Sequence, residues 1–151
     1  HTLHRDVSTF PGAGAAGGMG AAFGGVLLAQ LQSGVDAVLD AVGFDALLED
    51  ADLVITGEGC LDRQSISFGK VPAGIAKRCA QRGVPVVAIV GSMKEGAMEF
   101  LNLAEASVMT TVNAPMTFDR AIECAEALLT DAAHRTFSML QIGMRLKSKM
   151  Q

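Results

Sequence analysis

An α/β fold carrying a parallel sheet is predicted for this chain by two features of its sequence. From residue 52 onward, short apolar runs alternate with helical patterns in the order strand, helix, strand, helix, strand, helix. That order requires right-handed crossovers and hence a parallel sheet. The runs at residues 53–56 and 84–90 also lack polar alternation, as expected of strands covered on both faces. Length and composition agree: 151 residues, 50% hydrophobic and 19% charged, suffice for a buried core.

Each element has its own justification. Residues 1–11 read as a loop or edge strand ending at Pro11. A helix is predicted over 19–32, with Met19, Phe23, Val26, Leu27 and Leu31 on its buried side and Gly34 as its stop. Residues 35–42 are ambiguous, Gly43 breaks them, and 44–49 make a short helix. After the strand at 53–56, residues 57–67 read as loop. Pro72 suits the first turn of a helix that runs through Ile75 and Cys79 to a stop at Gly83. The strand at 84–90 tolerates Pro85 because an initial residue need not donate to the ladder. A loop over 91–96, a short helix over 97–103 and a third strand over 107–112 follow. Thr117 then caps a long helix to about Lys147, with Ile122, Ala125, Leu128, Leu129, Ala132 and Leu140 buried. Lys147 and Lys149 suit its carboxyl-terminal dipole. Three strands leave an open edge, which a further part of the protein or a second copy must cover.

Charge and composition narrow the function. Net charge −4, with seven Phe and no Tyr or Trp, argues against a nucleic-acid surface. No apolar run approaches the ~18 residues of a membrane span. Cys60, Cys79 and Cys124 form no metal-binding spacing and read as reduced thiols, with Cys60 the most accessible. The start has no signal-peptide pattern and no Met, so a cytoplasmic protein with a processed or upstream segment is expected. The eight Met read as core filler, His134 as a surface residue, and the triplet His4-Arg5-Asp6 as chance.

The chemistry concentrates after residue 56. Glu58 and Asp62 suit either a general base and Mg²⁺ ligands or, more plainly, ion pairs with Arg63 or Lys70 and a helix cap. Lys70, after Gly69 and at a helix start, could hold a phosphate or carboxylate, or simply be solvated. It does not belong to a Walker A loop, since Val71 stands where Ser or Thr should follow. Gln64 and Ser65 can orient a hydroxy acid or cap a turn. Gly12, Gly14, Gly17 and Gly18 read as a backbone anion cradle or as a tight helix entry. Ser92 and Lys94 could cover a nucleotide, or lie in a connecting loop. The string Gly12-Ala-Gly14-Ala-Ala-Gly17 also leaves open a nicotinamide-dependent oxidoreductase.

Two stretches carry a resemblance. The run Asp52-Leu-Val-Ile-Thr-Gly-Glu-Gly-Cys-Leu-Asp-Arg-Gln-Ser65 with Gly69-Lys70-Val71-Pro72, and the segment Pro11-Gly-Ala-Gly-Ala-Ala-Gly-Gly-Met-Gly-Ala-Ala22, resemble the bacterial, ATP-dependent D-glycerate kinase family. The resemblance covers the carboxyl-terminal portion of such a kinase, which is normally more than twice as long; the family's amino-terminal phosphate loop has no counterpart. Cys60 stands where the family usually shows Arg. The resemblance implies a three-layer Rossmann-like parallel sheet over 46–151. It makes 1–45 the tail of an inserted second α/β domain with its glycine-rich loop. It further implies phosphoryl transfer from ATP, with Mg²⁺, to a hydroxyl of D-glycerate, giving 2-phosphoglycerate or the 3-phosphate. Asp62, Glu58 and Lys70 would be catalytic, with Asp62 and Glu58 at the metal. Gly57, Gly59, Gln64, Ser65, Gly69, Gly12, Gly14, Gly17 and Gly18 would line substrate and nucleotide. The alternative is a truncated, inactive fragment that folds or oligomerises.

Overall fold

The computed structural model describes residues 6–7 and 9–150. His4 and Arg5 of the triplet at 4–6, and much of the expected loop at 1–11, lie outside the described residues. The chain divides into two compact units, His1–Val42 and Gly43–Gln151.

The larger unit is the expected α/β sheet. Strands β1 (Val54–Leu61), β2 (Val86–Met93) and β3 (Ala106–Thr110) pair in parallel in the order β1-β2-β3. The register sets Val54 against Val86 and Val86 against Ala106. Successive β2 residues therefore face opposite sides. Val86, Ala88 and Val90 join Leu48, Leu61, Cys79 and Phe100 in the main core, while Val87 and Ile89 meet Ala132 on the other face. Fully burying one large apolar side chain contributes roughly 1.5–3 kcal/mol, so the main core dominates this unit's stability.

The helices follow local signals. Helix α5 (Val71–Arg82) starts with Pro72 in its first turn and stops at Gly83, which takes the left-handed φ of 68° that favours glycine. It packs over the sheet and is tied to α3 (Phe44–Leu47) by Arg78 Nη1 on Asp45 Oδ2 at 3.0 Å. Residues 97–103, expected as an ordinary helix, form a 3-10 helix over Ala97–Asn102 that buries Phe100.

Several expectations are corrected. Gly57 to Cys60 are not loop: β1 continues to Leu61, and α4 (Arg63–Ser67) follows at once. Gly57 is needed inside the strand because a Cβ there would lie 2.8 Å from the Ile89 carbonyl oxygen. Likewise β2 runs on to Met93, through residues expected to be loop. The long helix is two, α6 (Phe118–Glu123) and α7 (Ala125–Met150), broken at Cys124. Thr117 does cap the first, accepting from Arg120 N at 3.3 Å. Of the side expected to be buried, Leu128 and Ala132 are buried, but Ile122 and Leu129 are exposed. Among the described residues no helix is long and apolar enough to cross a membrane.

The smaller unit departs further. Helix α1 (Ala15–Val26) contains a kink where Ala16, Gly17 and Gly18 take φ of 49°, 68° and 97°. It ends at Val26, six residues early, and Leu28 turns away with φ 55°. Its buried side is not the apolar one: Met19, Phe23, Val26 and Leu27 are exposed, whereas Gly20 and Gly24 are buried. The reason is backbone approach, since a Cβ on Gly20 would lie 2.1 Å from the Gly12 carbonyl oxygen. Gly34 is a start, not a stop. It opens α2 (Gly34–Ala41), capped by Ser33, whose hydroxyl accepts from Asp36 N.

Candidate functional site

The carboxyl end of β1 gathers the charged residues. This is the edge of an open α/β sheet where ligands are accommodated. β1 presents Glu58, and the turn into α4 presents Asp62. Lys70, at the N-cap of α5, completes the group. Its backbone N–H donates to the Ser65 carbonyl at 2.9 Å, so α4 and α5 hold a fixed relation.

Asp62 is the best-held carboxylate. Its Oδ1 accepts from Ser65 N at 2.7 Å and from the Ser65 hydroxyl at 3.0 Å. Those two bonds hold its carboxyl below the usual carboxylate range, partial burial opposes the shift, and the positive charges of Lys70 and Lys94 add to it. Ser65 is fully buried, so its orientation is fixed by packing as well as by bonding.

Glu58 is held differently. Its Oε1 lies 3.7 Å from Lys70 Nζ, with side chains 22% and 44% exposed. A half-exposed pair of this kind is worth about 0–1 kcal/mol. The other oxygen, Oε2, is buried with no hydrogen-bond partner among the described residues. Leaving such an atom unsatisfied costs about 1–3 kcal/mol. The arrangement therefore costs more stability than the visible pair returns, and it leaves a lysine that an incoming anion can recruit.

The plain alternatives foreseen for these residues are both present: Asp62 caps α4 and Glu58 pairs with Lys70. Neither uses up the group. Arg63 turns instead to Glu95 (3.1 Å) and Glu99 (3.8 Å). The backbone reinforces this, since Arg63 N donates to the Glu95 carbonyl and Lys94 N to the Leu61 carbonyl. The segment after β2 is thus stitched to the start of α4, which brings Lys94 to bear on Asp62. Nothing in the sequence signals the Arg63–Glu95 pairing, which spans 32 positions.

The remaining candidates scatter. Gln64 is exposed, Gly57 and Gly59 lie within β1, and Gly69 precedes Lys70. Gly12, Gly14, Gly17 and Gly18 lie in the smaller unit. A Cβ at Gly14, Gly17 or Gly18 would meet nothing within 4 Å, so left-handed backbone is what calls for glycine at 17 and 18. Among the described residues, no group of three His, Cys, Asp or Glu is gathered for a metal ion.

Comparison with known proteins adds a second line. The model of the glycerate kinase family matches residues 1–141. A protein named glycerate kinase from Halalkalibacterium halodurans is 44% identical over 131 residues, covering 87% of this chain and 34% of its own length. One named glycerate 2-kinase from Escherichia coli K12 is 42% identical over 146 residues, covering 95% and 37%. A solved structure named for glycerate kinase 2 of Salmonella typhimurium LT2 superposes with a TM-score of 0.67 at 38% identity, covering 95% of this chain and 36% of that one. The chain spans about a third of the length of these relatives.

Proposed function

The chain belongs to the glycerate kinase family, and on that premise we propose that it supplies the carboxyl-terminal part of an enzyme that transfers a phosphoryl group from ATP to a hydroxyl of D-glycerate. The observation that carries the reading is the convergence of Glu58, Asp62 and Lys70 at the carboxyl end of β1, with Lys94 beside them. Phosphoryl transfer asks a protein mainly for positioning and charge neutralisation, which this group can provide.

The roles follow from how each residue is held. Asp62, ionised and fixed through Oδ1, accepts the hydrogen bond of the attacking hydroxyl. It takes that proton as the new oxygen–phosphorus bond forms and the bond to ADP breaks. Lys70, at the amino end of the 12-residue helix α5, holds a phosphate or the glycerate carboxylate, helped by the helix dipole. Glu58 orients Lys70 until the anion arrives.

Mg²⁺ fits this donor set. Hard carboxylate oxygens are present, including the unpartnered Glu58 Oε2, and Mg²⁺ characteristically takes one or two carboxylates with water and substrate phosphates. When bound, it supplies neutralisation of the phosphate charge. We favour the 2-phosphate as product because one relative is named a 2-kinase, and a cytoplasmic setting because ATP and glycerate are the reactants.

A second reading has its own support. A three-stranded sheet whose outer strands β1 and β3 are each paired on one side only among the described residues, in a chain spanning a third of its relatives, suits a portion that folds or oligomerises but is inactive alone. A coupled ADP-release assay with D-glycerate separates the two. It would be run on this chain and on a full-length kinase carrying it. Turnover by the longer protein supports the kinase proposal, turnover by this chain as well removes the second reading, and turnover by neither removes the kinase proposal.

A further inference from the structure

We propose that the exposed face of α7 docks the same helix of a second copy of this chain, the two running antiparallel; the inference does not rest on the phosphoryl-transfer reading. The helix spans 26 residues, about 39 Å. One side, through Leu128, Ala132 and Thr136, is buried, with Ala132 against Val87 and Ile89 of β2. Residues 141–149 are all exposed, Ile142, Met144 and Leu146 among them. A helical extension of that length, with Gly143 inside it, has little stability in water without a tertiary partner.

Three observations identify the occupant. First, a second apolar stripe runs beside the buried one. Leu129, Ala133, Phe137, Leu140 and Met144 recur at spacings of 4, 4, 3 and 4, the pattern of a helix that packs along another helix. Leu129, Phe137 and Met144 are 52%, 49% and 72% exposed. A continuous exposed apolar stripe marks an interaction surface. Second, the stripe has a hole as well as knobs. At Ala133 a shallow hollow of about 320 Å³ is lined by Leu129, Thr130, Ala133, His134 and Phe137. A leucine-sized knob from a facing helix would fill it.

Third, the face is its own complement when reversed. Three further residues in each direction reach Glu126 at one end and Lys147 at the other, both exposed. A two-fold axis beside Phe137 therefore sets Glu126 against Lys147, Leu129 against Met144, and small Ala133 against large Leu140. Neither Glu126 nor Lys147 has an ion-pair partner among the described residues. The surrounding charge agrees: residues 123–133 carry three acids and no base, and residues 138–149 three bases and no acid. A parallel pair would set like charges together, so charge selects the antiparallel arrangement. Such a two-fold contact closes on itself and gives a dimer.

The test is sedimentation equilibrium of this chain, of Phe137→Asp, of Lys147→Glu, and of Lys147→Glu combined with Glu126→Lys. All three side chains are exposed, so each variant should keep the parent's circular dichroism. The expected result is a dimer at about 50 µM chain, and a monomer for Phe137→Asp at that concentration. Lys147→Glu should weaken the dimer about tenfold, and the added Glu126→Lys should bring it back. Should Phe137→Asp lose its fold, the charge variants decide. A monomeric parent, a dimer that survives Phe137→Asp in a folded variant, or charge variants that leave the dimer unchanged would overturn the proposal. A monomeric parent whose last α7 turns gain hydrogen-exchange protection in a full-length kinase carrying this chain would give the face to the rest of that enzyme instead.

Discussion

At the carboxyl end of β1, polar side chains are held by regular elements rooted in a core; in residues 11–22 no polar side chain exists to be held, and the backbone itself takes the unusual shape. Asp62, Ser65 and Lys70 owe their places to Leu61, Ile66 and Ala76, which are buried in the main core beside or just beyond them. Residues 16–18 owe theirs to three consecutive left-handed conformations and to Gly20 lying against Gly12. The first region rests on an apolar core, so a change of charge there should leave its fold in place. The second has almost no side-chain chemistry to change, and is broken by the addition of a single methyl group.

The largest expected effect tests the core beneath the first region. Phe100 is fully buried there. Phe100→Ala should cost about 3–5 kcal/mol, read as a lower midpoint in denaturant. A loss below about 1 kcal/mol would mean that the site does not depend on this core.

Gly20→Ala addresses the second region. Its new methyl would meet the Gly12 carbonyl oxygen, and relieving such overpacking costs about 1–3 kcal/mol. Hydrogen exchange should speed up at Ala21, whose N–H donates to the Ala13 carbonyl, and stay unchanged along β2. Equal acceleration in both places would erase the distinction.

Acid sensitivity belongs to the larger unit and is smaller. Asp62 is held low by Ser65, and Asp131 by Asn113 (3.1 Å) and Arg135 (2.9 Å). Each carboxyl then binds a proton less readily folded than unfolded. Their contribution is present above the ordinary value of about 3.9 and is lost as pH falls through the lower native value. The melting temperature should therefore drop as pH falls below about 4 and on through the lower native values, and less steeply in Asp62→Asn. A flat profile would contradict the bonding described for Asp62.

Thiol labelling gives the smallest effect. Cys60 and Cys124 are partly exposed, whereas Cys79 is buried and its thiol is pushed up by that burial. Labelling of the folded protein should therefore modify two thiols and spare the third. Prompt reaction at Cys79 would show that α5 does not stay packed on the sheet.

What the sequence makes legible follows the same division. Pro72 as an opener, Gly83 as a stop and Thr117 as a cap rest on local chemistry and are found, and the strand starts fall within two residues of those expected. The end of β1 was missed because Gly57 and Gly59 read as loop; only the neighbouring strand shows why Gly57 belongs in the sheet. Gly34 looked like a terminator because nothing local ranks it against Ser33 as a helix opener. The break at Cys124 has neither Gly nor Pro to announce it. In the site, Glu58, Asp62 and Lys70 were legible as a polar cluster after an apolar strand. Arg63 reaching Glu95 was not, since long-range pairings leave no periodic trace.

The central claim, that Asp62 serves the transfer of a phosphoryl group, is tested most directly by Asp62→Asn in a full-length kinase carrying this chain, followed by coupled ADP release with D-glycerate. Asn is as good an N-cap as Asp, so the fold is expected to persist, as circular dichroism would verify. Loss of the proton acceptor should lower turnover about 100-fold or more. Turnover within about twofold of the parent, in a variant that is still folded, would contradict the account.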